Sequence, residues 1–459
     1  MYSLINIKFN WNAFLITAIL IYFILPGISW YSYFAILITI HQFVLLFNSI
    51  EFVIPVRYLF GAFMCLQFFV GPTLAYNGLD QYQFDTYKMR ITEVEYFSYA
   101  IPAVLSFIIG LHIRAGKLEG EVVDVEKIKA FSENHKNLPY IFIAIGFVSS
   151  IISEFFSTEL AFVFYLLGGF KFVGLFIIII SSYKLKPLPL IIVIGSIISS
   201  SLGMGMFHDL LTWLIFTGIV LAIKYKPKFA VKLAITISFF IVAIVIQQIK
   251  GSYRETVWEG SEEGGVDAFS NAYEKRSDEI FEFAALAPSI VRINQGFIIT
   301  NIMSTVPAKI PHSNGYELYQ ILEAAFLPRI IATNKLTAGN REIFMKYSGM
   351  RIAKKTSMGL SSLGDAYINF GVFGGCIFMF FLGMLFSEVL KGFHKYGKKF
   401  PVLLLFTPLV FYYPIRPDCE LQTIMGHLVK SCFLIFILVS LWKKYFILHT
   451  ESLWKKYSY

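Results

Sequence analysis

Apolar runs close to twenty residues long recur from one end of this chain to the other. That is the length a helix needs to cross ~30 Å of hydrocarbon. Backbone inside hydrocarbon must satisfy its own hydrogen bonds, so segments of this length span as helices. The pattern predicts an all-α, polytopic transmembrane helical bundle. Of the 459 residues 56% are hydrophobic and 48 are Phe, which excludes an ordinary soluble domain. About twelve spans are expected, near 11–28, 31–48, 57–76, 95–113, 139–156, 160–181, 188–204, 207–223, 229–248, 366–388, 401–414 and 421–442. No signal-peptide cleavage pattern precedes the first of these, which reads as a permanent helix.

Charge orients the bundle. Lys and Arg concentrate in 114–138, 182–187, 224–232, 391–399 and the tail from Lys443. Alternating spans place all of these on the side of the N-terminus, and the positive-inside rule makes that side cytoplasmic. Both termini are then cytoplasmic and the long loop 249–365 is external. Three parts are expected: an N-terminal bundle of nine spans (1–248), an external loop domain (249–365), and three C-terminal spans with a cytoplasmic tail (366–459). In such a chain the location of the net charge of +9 matters more than its size, and no nucleic-acid partner is expected. Cys65, Cys376, Cys419 and Cys432 show no paired spacing, so neither a disulfide framework nor a zinc site is expected.

The external loop carries helix signals. Ser277-Asp278-Glu279 precedes IFEFAALAPSIVRI as a cap with two acids, and Pro288 is expected to kink or end that helix. Asn314, followed three residues later by Glu317, opens GYELYQILEAAF, which Pro328 stops. Thr337 is the candidate cap of AGNREIFMKY, with Gly349 as its left-handed terminator. The amphipathic helices 278–294 and 315–327 fit either the headgroup plane or a packed lid.

Three polar constellations stand out. Glu420, Thr423, His427 and Lys430 fall at i, i+3, i+7 and i+10, one helical face expected to point into the bundle. With Arg416 just before them, Glu420 and His427 would line the outer end of a cavity, with Lys430 deeper; the alternative is a polar seam tying two helices together. His208 and Asp209 follow a run of small residues and read either as a site or as an external turn with a helix cap. The third set is basic: Arg254, Arg292, Arg329, Lys335, Arg341, Arg351, Lys354 and Lys355. Guanidinium groups suit phosphate and diphosphate because they donate as a bidentate fork. No DxD, His/Cys cluster or carboxylate cage is present, so no metal or other cofactor is expected. Walker, GxGxxG and GxSxG motifs are also missing, which leaves nucleotide hydrolysis and serine-esterase chemistry without support.

The most polar and Gly-rich part of the chain is 323–375. Arg254 in KGSYRETVW, the segment PRIIATNKLTAGN, and SSLGDAYINFGVFGG leading into a span, together with the span layout, resemble bacterial oligosaccharide repeat-unit polymerases of the Wzy type. Asp365 stands where the related pattern often has Glu, so a carboxylate is kept on a shorter arm. The resemblance implies a GT-C-like architecture and an inverting glycosyltransferase at the outer face of the inner membrane. It implies undecaprenyl-diphosphate-linked glycans as donor and acceptor, with a chain-length regulator as a possible partner. On that reading Arg254, Arg329, Arg341 and Arg416 would hold the diphosphate. His427 and Asp365 are the candidate bases, with Glu420 orienting His427. Rival readings are a flippase of the same lipid-linked unit, an O-antigen ligase, and a structural subunit.

Overall fold

The computed structural model describes residues 9–78, 87–115, 122–156, 158–258, 265–274, 287–327, 335–337, 339–353 and 356–454. Among them the chain is helical, with one isolated β-bridge between Val53 and Val122. Among the described residues nine helices are long and apolar enough to cross a membrane: Trp30–Ser49, Val56–Tyr76, Glu93–Ile113, Ala161–Ser181, Pro187–Met204, His208–Tyr225, Phe229–Gly251, Ser361–Gly397 and Leu421–Leu441. They coincide with nine of the twelve expected segments. The other three are short, bent or broken. Trp11–Ile24 has 14 residues. Leu138–Ile152 meets Val125–Asn134 at 85°, and counts as a tenth candidate if the pair is one crossing. The segment expected at 401–414 is a 3-10 turn, Pro401–Phe406, followed by the four-residue helix Thr407–Val410. Residues 402–412 are all buried. Irregular backbone is tolerated among apolar helices only where protein covers it.

Two helices at the centre pack backbone to backbone. Gly110 of Glu93–Ile113 faces the Phe380 carbonyl, and Gly383 of Ser361–Gly397 faces the Phe107 carbonyl. A Cβ on either glycine would overlap that oxygen, so only glycine permits the approach. Tyr99 spans the same interface and donates to the Leu363 carbonyl at 2.7 Å.

The helix Ser361–Gly397 is interrupted at Gly371, whose φ of 66° and ψ of −160° belong to glycine alone. The expected span 366–388 therefore starts too early. Residues 361–370 form a separate short helix that carries Asp365, and the long apolar helix begins after Gly371. Asn369 fastens that short helix to the loop by accepting from Ser313 Oγ at 2.7 Å and Leu318 N at 3.1 Å.

The loop region is helical, with corrections in its caps. Ser277-Asp278-Glu279 lies outside the described residues. The described part of the expected helix 278–294 is Ala287–Ile293, which includes Pro288; the residues before Ala287, on which the expected kink or end at Pro288 depends, lie outside the described residues. Tyr316–Phe326 starts after Gly315 without a side-chain cap. Glu317 does not complete a box with Asn314; it accepts from Tyr347 Oη at 2.6 Å and pairs with Lys346 at 3.2 Å. Arg341–Ser348 is capped by Asn340 rather than Thr337, through bonds from Glu342 N (3.0 Å) and Ile343 N (3.2 Å), and ends at Gly349 with φ 67° as expected. Asn340→Ala should cost about 1 kcal/mol of stability, the usual size of a lost cap. A drop in melting temperature of the purified protein checks it, and an unchanged transition would mean the turn is braced elsewhere.

Candidate functional site

Seven Lys, Arg, His and Asp side chains meet at one end of the bundle. They come from the start of His208–Tyr225, the last turns of Phe229–Trp258, the helix Ala287–Ile293, and the turn 411–420 that follows the broken segment. Pro414 and Pro417 bracket Ile415 and Arg416 and stiffen that turn. Arg416 is its node. One guanidinium nitrogen lies 3.6 Å from Asp418 Oδ2 and the other 4.0 Å from Asp209 Oδ1. Arg292 reaches the same Asp418 oxygen at 3.5 Å. Arg254 Nε donates to the Gly205 carbonyl at 2.8 Å, at the other side of the cluster, within electrostatic reach of Arg292. Lys250 lies in the field of Arg254, Arg292 and Asp418. Asp209 also accepts from Tyr412 Oη at 2.5 Å and pairs with His208 Nε2 at 2.7 Å.

The electrostatics follow from this grouping. Burial opposes the Asp418 carboxylate, but Arg416 and Arg292 outweigh it and hold Asp418 below its ordinary value. Burial likewise opposes the Arg416 charge, and the acidic groups around it, Cys419 and Asp418 foremost, hold the guanidinium up. Burial and then the Arg292 charge push Arg254 down. Among the described residues three guanidiniums and an ammonium thus face two carboxylates, a grouping suited to a multiply charged anion. Aromatic rings wall it. Arg416 lies over Tyr413 at 5.3 Å, Tyr165 Oη reaches Tyr413 Oη at 3.5 Å, and Tyr412 stacks on Trp213 at 5.3 Å.

A second polar place is separate and almost closed. Glu317, Asp365 and Glu420 line one cavity of about 20 Å³, room for about one water. Asp365 is 6% exposed and accepts from Leu421 N at 2.8 Å, capping the last long helix. Glu420 accepts from Gly339 N at 2.5 Å and Thr423 Oγ1 at 3.1 Å. Burial pushes the Glu420 carboxyl up and these two bonds only partly offset it. Its folded form therefore keeps its proton to higher pH than the unfolded chain. The stability this gives is full below the ordinary value of 4.5 and is lost as pH rises through the folded value. Glu420→Gln, which cannot ionise but can still accept both bonds, should match the wild-type melting temperature near pH 4.5 and exceed it at pH 8. A Gln variant less stable than wild type at pH 8 would contradict this.

The expected site residues divide between these places and the core. Arg254 and Arg416 belong to the cationic cluster. Arg341 does not: its Nε and Nη2 both donate to the Ile352 carbonyl, at 2.9 and 2.8 Å. Lys335 is used in the same way, on the Ala324 and Leu327 carbonyls at the end of a helix. Arg329 lies outside the described residues. His427 is 1% exposed. Its Nε2 bonds the Leu409 carbonyl at 2.8 Å, bracing the broken segment, and its Nδ1 has no hydrogen-bond partner among the described residues. Glu420 bonds Thr423 and does not orient His427. The face expected to run inward from Glu420 turns outward by Lys430, which is exposed with its ammonium 4.2 Å from the Phe162 ring centre.

The adjacent His208 and Asp209 were visible in the sequence as one pair and Arg292 as a basic residue, but nothing local joined Arg292 to the pair. Lys250, Asp418 and Tyr412 carried no motif at all. Among the described residues no group of three His, Cys, Asp or Glu side chains is arranged to hold a metal ion. Comparison with family models, with curated proteins and with solved structures gives no match in any of the three.

Proposed function

We propose that this protein joins undecaprenyl-diphosphate-linked oligosaccharide repeat units into a polysaccharide, by inverting glycosyl transfer at the outer face of a bacterial cytoplasmic membrane. The observation that carries this reading is the convergence of Arg292 and Arg416 on Asp418, with Arg254 in reach, at the end of an apolar helical bundle. Two or three forked cations beside hydrocarbon suit a diphosphate whose lipid stays in the membrane. The resemblance of SSLGDAYINFGVFGG and its surroundings to the repeat-unit polymerases points the same way, and the GT-C-like architecture belongs to this proposal.

In the reaction, the bond between the donor's anomeric carbon and its diphosphate oxygen breaks, and that electron pair stays with the diphosphate. An acceptor sugar hydroxyl attacks the same carbon from the opposite face and loses its proton. Charge grows on the departing diphosphate, and Arg292, Arg416 and Arg254 would stabilise it as it develops. Tyr165 and Tyr413 offer ring faces on which a sugar can lie, beside Arg416. Both partners are lipid-anchored, so much of the rate would come from holding them in line. In this reading the loop 249–365 is external, both termini are cytoplasmic, and a chain-length regulator docks from outside.

The test uses the purified protein in detergent with an extracted lipid-linked repeat unit, EDTA and no nucleotide, and resolves products by mass spectrometry. A ladder of lipid-linked multimers supports a polymerase that needs no metal. Binding of the intact unit without new glycosidic bonds would overturn it in favour of a flippase. Transfer only to an added lipid A-core acceptor would overturn it in favour of a ligase.

A further inference from the structure

Polymerisation of this kind needs a group that takes the proton of the attacking hydroxyl, and the sequence offers His427 and Asp365. Neither is placed to meet a sugar. The one is 1% exposed and committed to a backbone carbonyl, and the other is 6% exposed and caps a helix. Reaching either would require opening the core.

We propose instead that His208, held by Asp209, is that base. This rests on the polymerase reading above. His208 Nε2 lies 2.7 Å from Asp209 Oδ1, and the pair is open, with side-chain exposures of 33% and 37%. A neutral imidazole that donates Nε2–H to a carboxylate carries its lone pair on Nδ1. The carboxylate fixes the ring's tautomer and then stabilises the imidazolium that forms. Asp209 is itself fixed, by the Tyr412 hydroxyl and by Arg416 at 4.0 Å, so the pair is part of the cationic cluster rather than a neighbour of it. Tyr412 in turn is locked by stacking on Trp213.

The charged groups around the pair come from every element packed there. Asp209 lies on the same helix; Tyr412, Arg416 and Asp418 come from the turn 411–420; Arg292 approaches through Asp418; and Arg254 is anchored on Gly205 O, three residues before His208. Cations that grip a diphosphate here put the donor's anomeric carbon within one sugar of His208. The acceptor hydroxyl then gives its proton to Nδ1 as its oxygen bonds that carbon and the diphosphate leaves with the electron pair. His208 returns the proton to water, to which it is open.

A pair at a helix N-terminus also serves as an end cap, since an acid in the first turn complements the helix dipole. The two roles separate by experiment. In the purified polymerase assay, His208→Gln should lower kcat about a hundredfold, the lower end for a lost general base, with KM and melting temperature nearly unchanged. The acid limb of the kcat–pH profile should vanish in that variant, and added imidazole should restore rate to His208→Ala. Asp209→Asn should also lower kcat, through the wrong tautomer. If His208→Gln keeps kcat within about threefold of wild type, or if the acid limb persists, His208 is not the base. If the wild-type protein itself makes no polymer from the same unit, the polymerase reading has failed and this proposal falls with it.

Discussion

Arg416→Ala should abolish polymer, with a rate loss of about a thousandfold. Arg416 pairs with both acidic residues of the cluster, at 4.0 Å to Asp209 and 3.6 Å to Asp418, and it is only 14% exposed. In the proposed reaction its removal takes away a forked donor to the departing diphosphate. It also leaves Asp209 and Asp418 with less countercharge; a fully buried pair broken in this way loses about 3–5 kcal/mol, and the residual exposure here makes the loss smaller. Arg416→Lys keeps the charge but not the fork, so it should fold like wild type and recover only part of the rate. Long-chain polymer on a gel, read beside size-exclusion profiles of both variants, checks the prediction. Normal chain length in a folded Arg416→Ala protein would contradict it.

Gly383→Val should prevent the bundle from forming. Gly383 meets the Phe107 carbonyl, and Gly110, nearby on the partner helix, meets the Phe380 carbonyl. These are backbone atoms of two rigid helices, so nothing flexible can yield. A branched side chain must push the helices apart along an extensive interface, which also holds the buried Tyr99–Leu363 bond. Overpacking of this kind costs about 3 kcal/mol at the upper end of its usual range. Loss of monodisperse protein in detergent is the expected result. A variant that purifies and melts like wild type would mean that the two helices have room the packing does not suggest.

The long apolar helices were legible because their signal is local: twenty consecutive residues suffice to mark one. The segment 401–414 shows the limit of that signal. It is apolar enough for a span, yet it folds as a 3-10 turn and a single helical turn, because its neighbours bury it on every side. Gly371 is a similar case, since hydropathy does not see a backbone torsion. The candidate site was less legible still. Helical spacing aligned Glu420, Thr423, His427 and Lys430, but that face spans two environments, a closed carboxylate pocket and a histidine brace on Leu409. The basic residues of the loop looked alike in sequence, yet Arg341 and Lys335 hold backbone carbonyls while Arg292 joins the cluster. What separates them is which elements the fold brings together, and no local pattern encodes that.

The central claim is that the Arg254–Arg292–Arg416 cluster is where a lipid-linked diphosphate sits. The most direct measurement is an electron cryomicroscopy map of the protein in nanodiscs, bound to a phosphonate analogue of the lipid-linked repeat unit that cannot be cleaved. The account predicts density for the diphosphate between Arg292 and Arg416, with the first sugar beside His208 and Tyr413. Diphosphate density lodged elsewhere, such as against Arg341 and Lys346 over the carboxylate pocket, would contradict it.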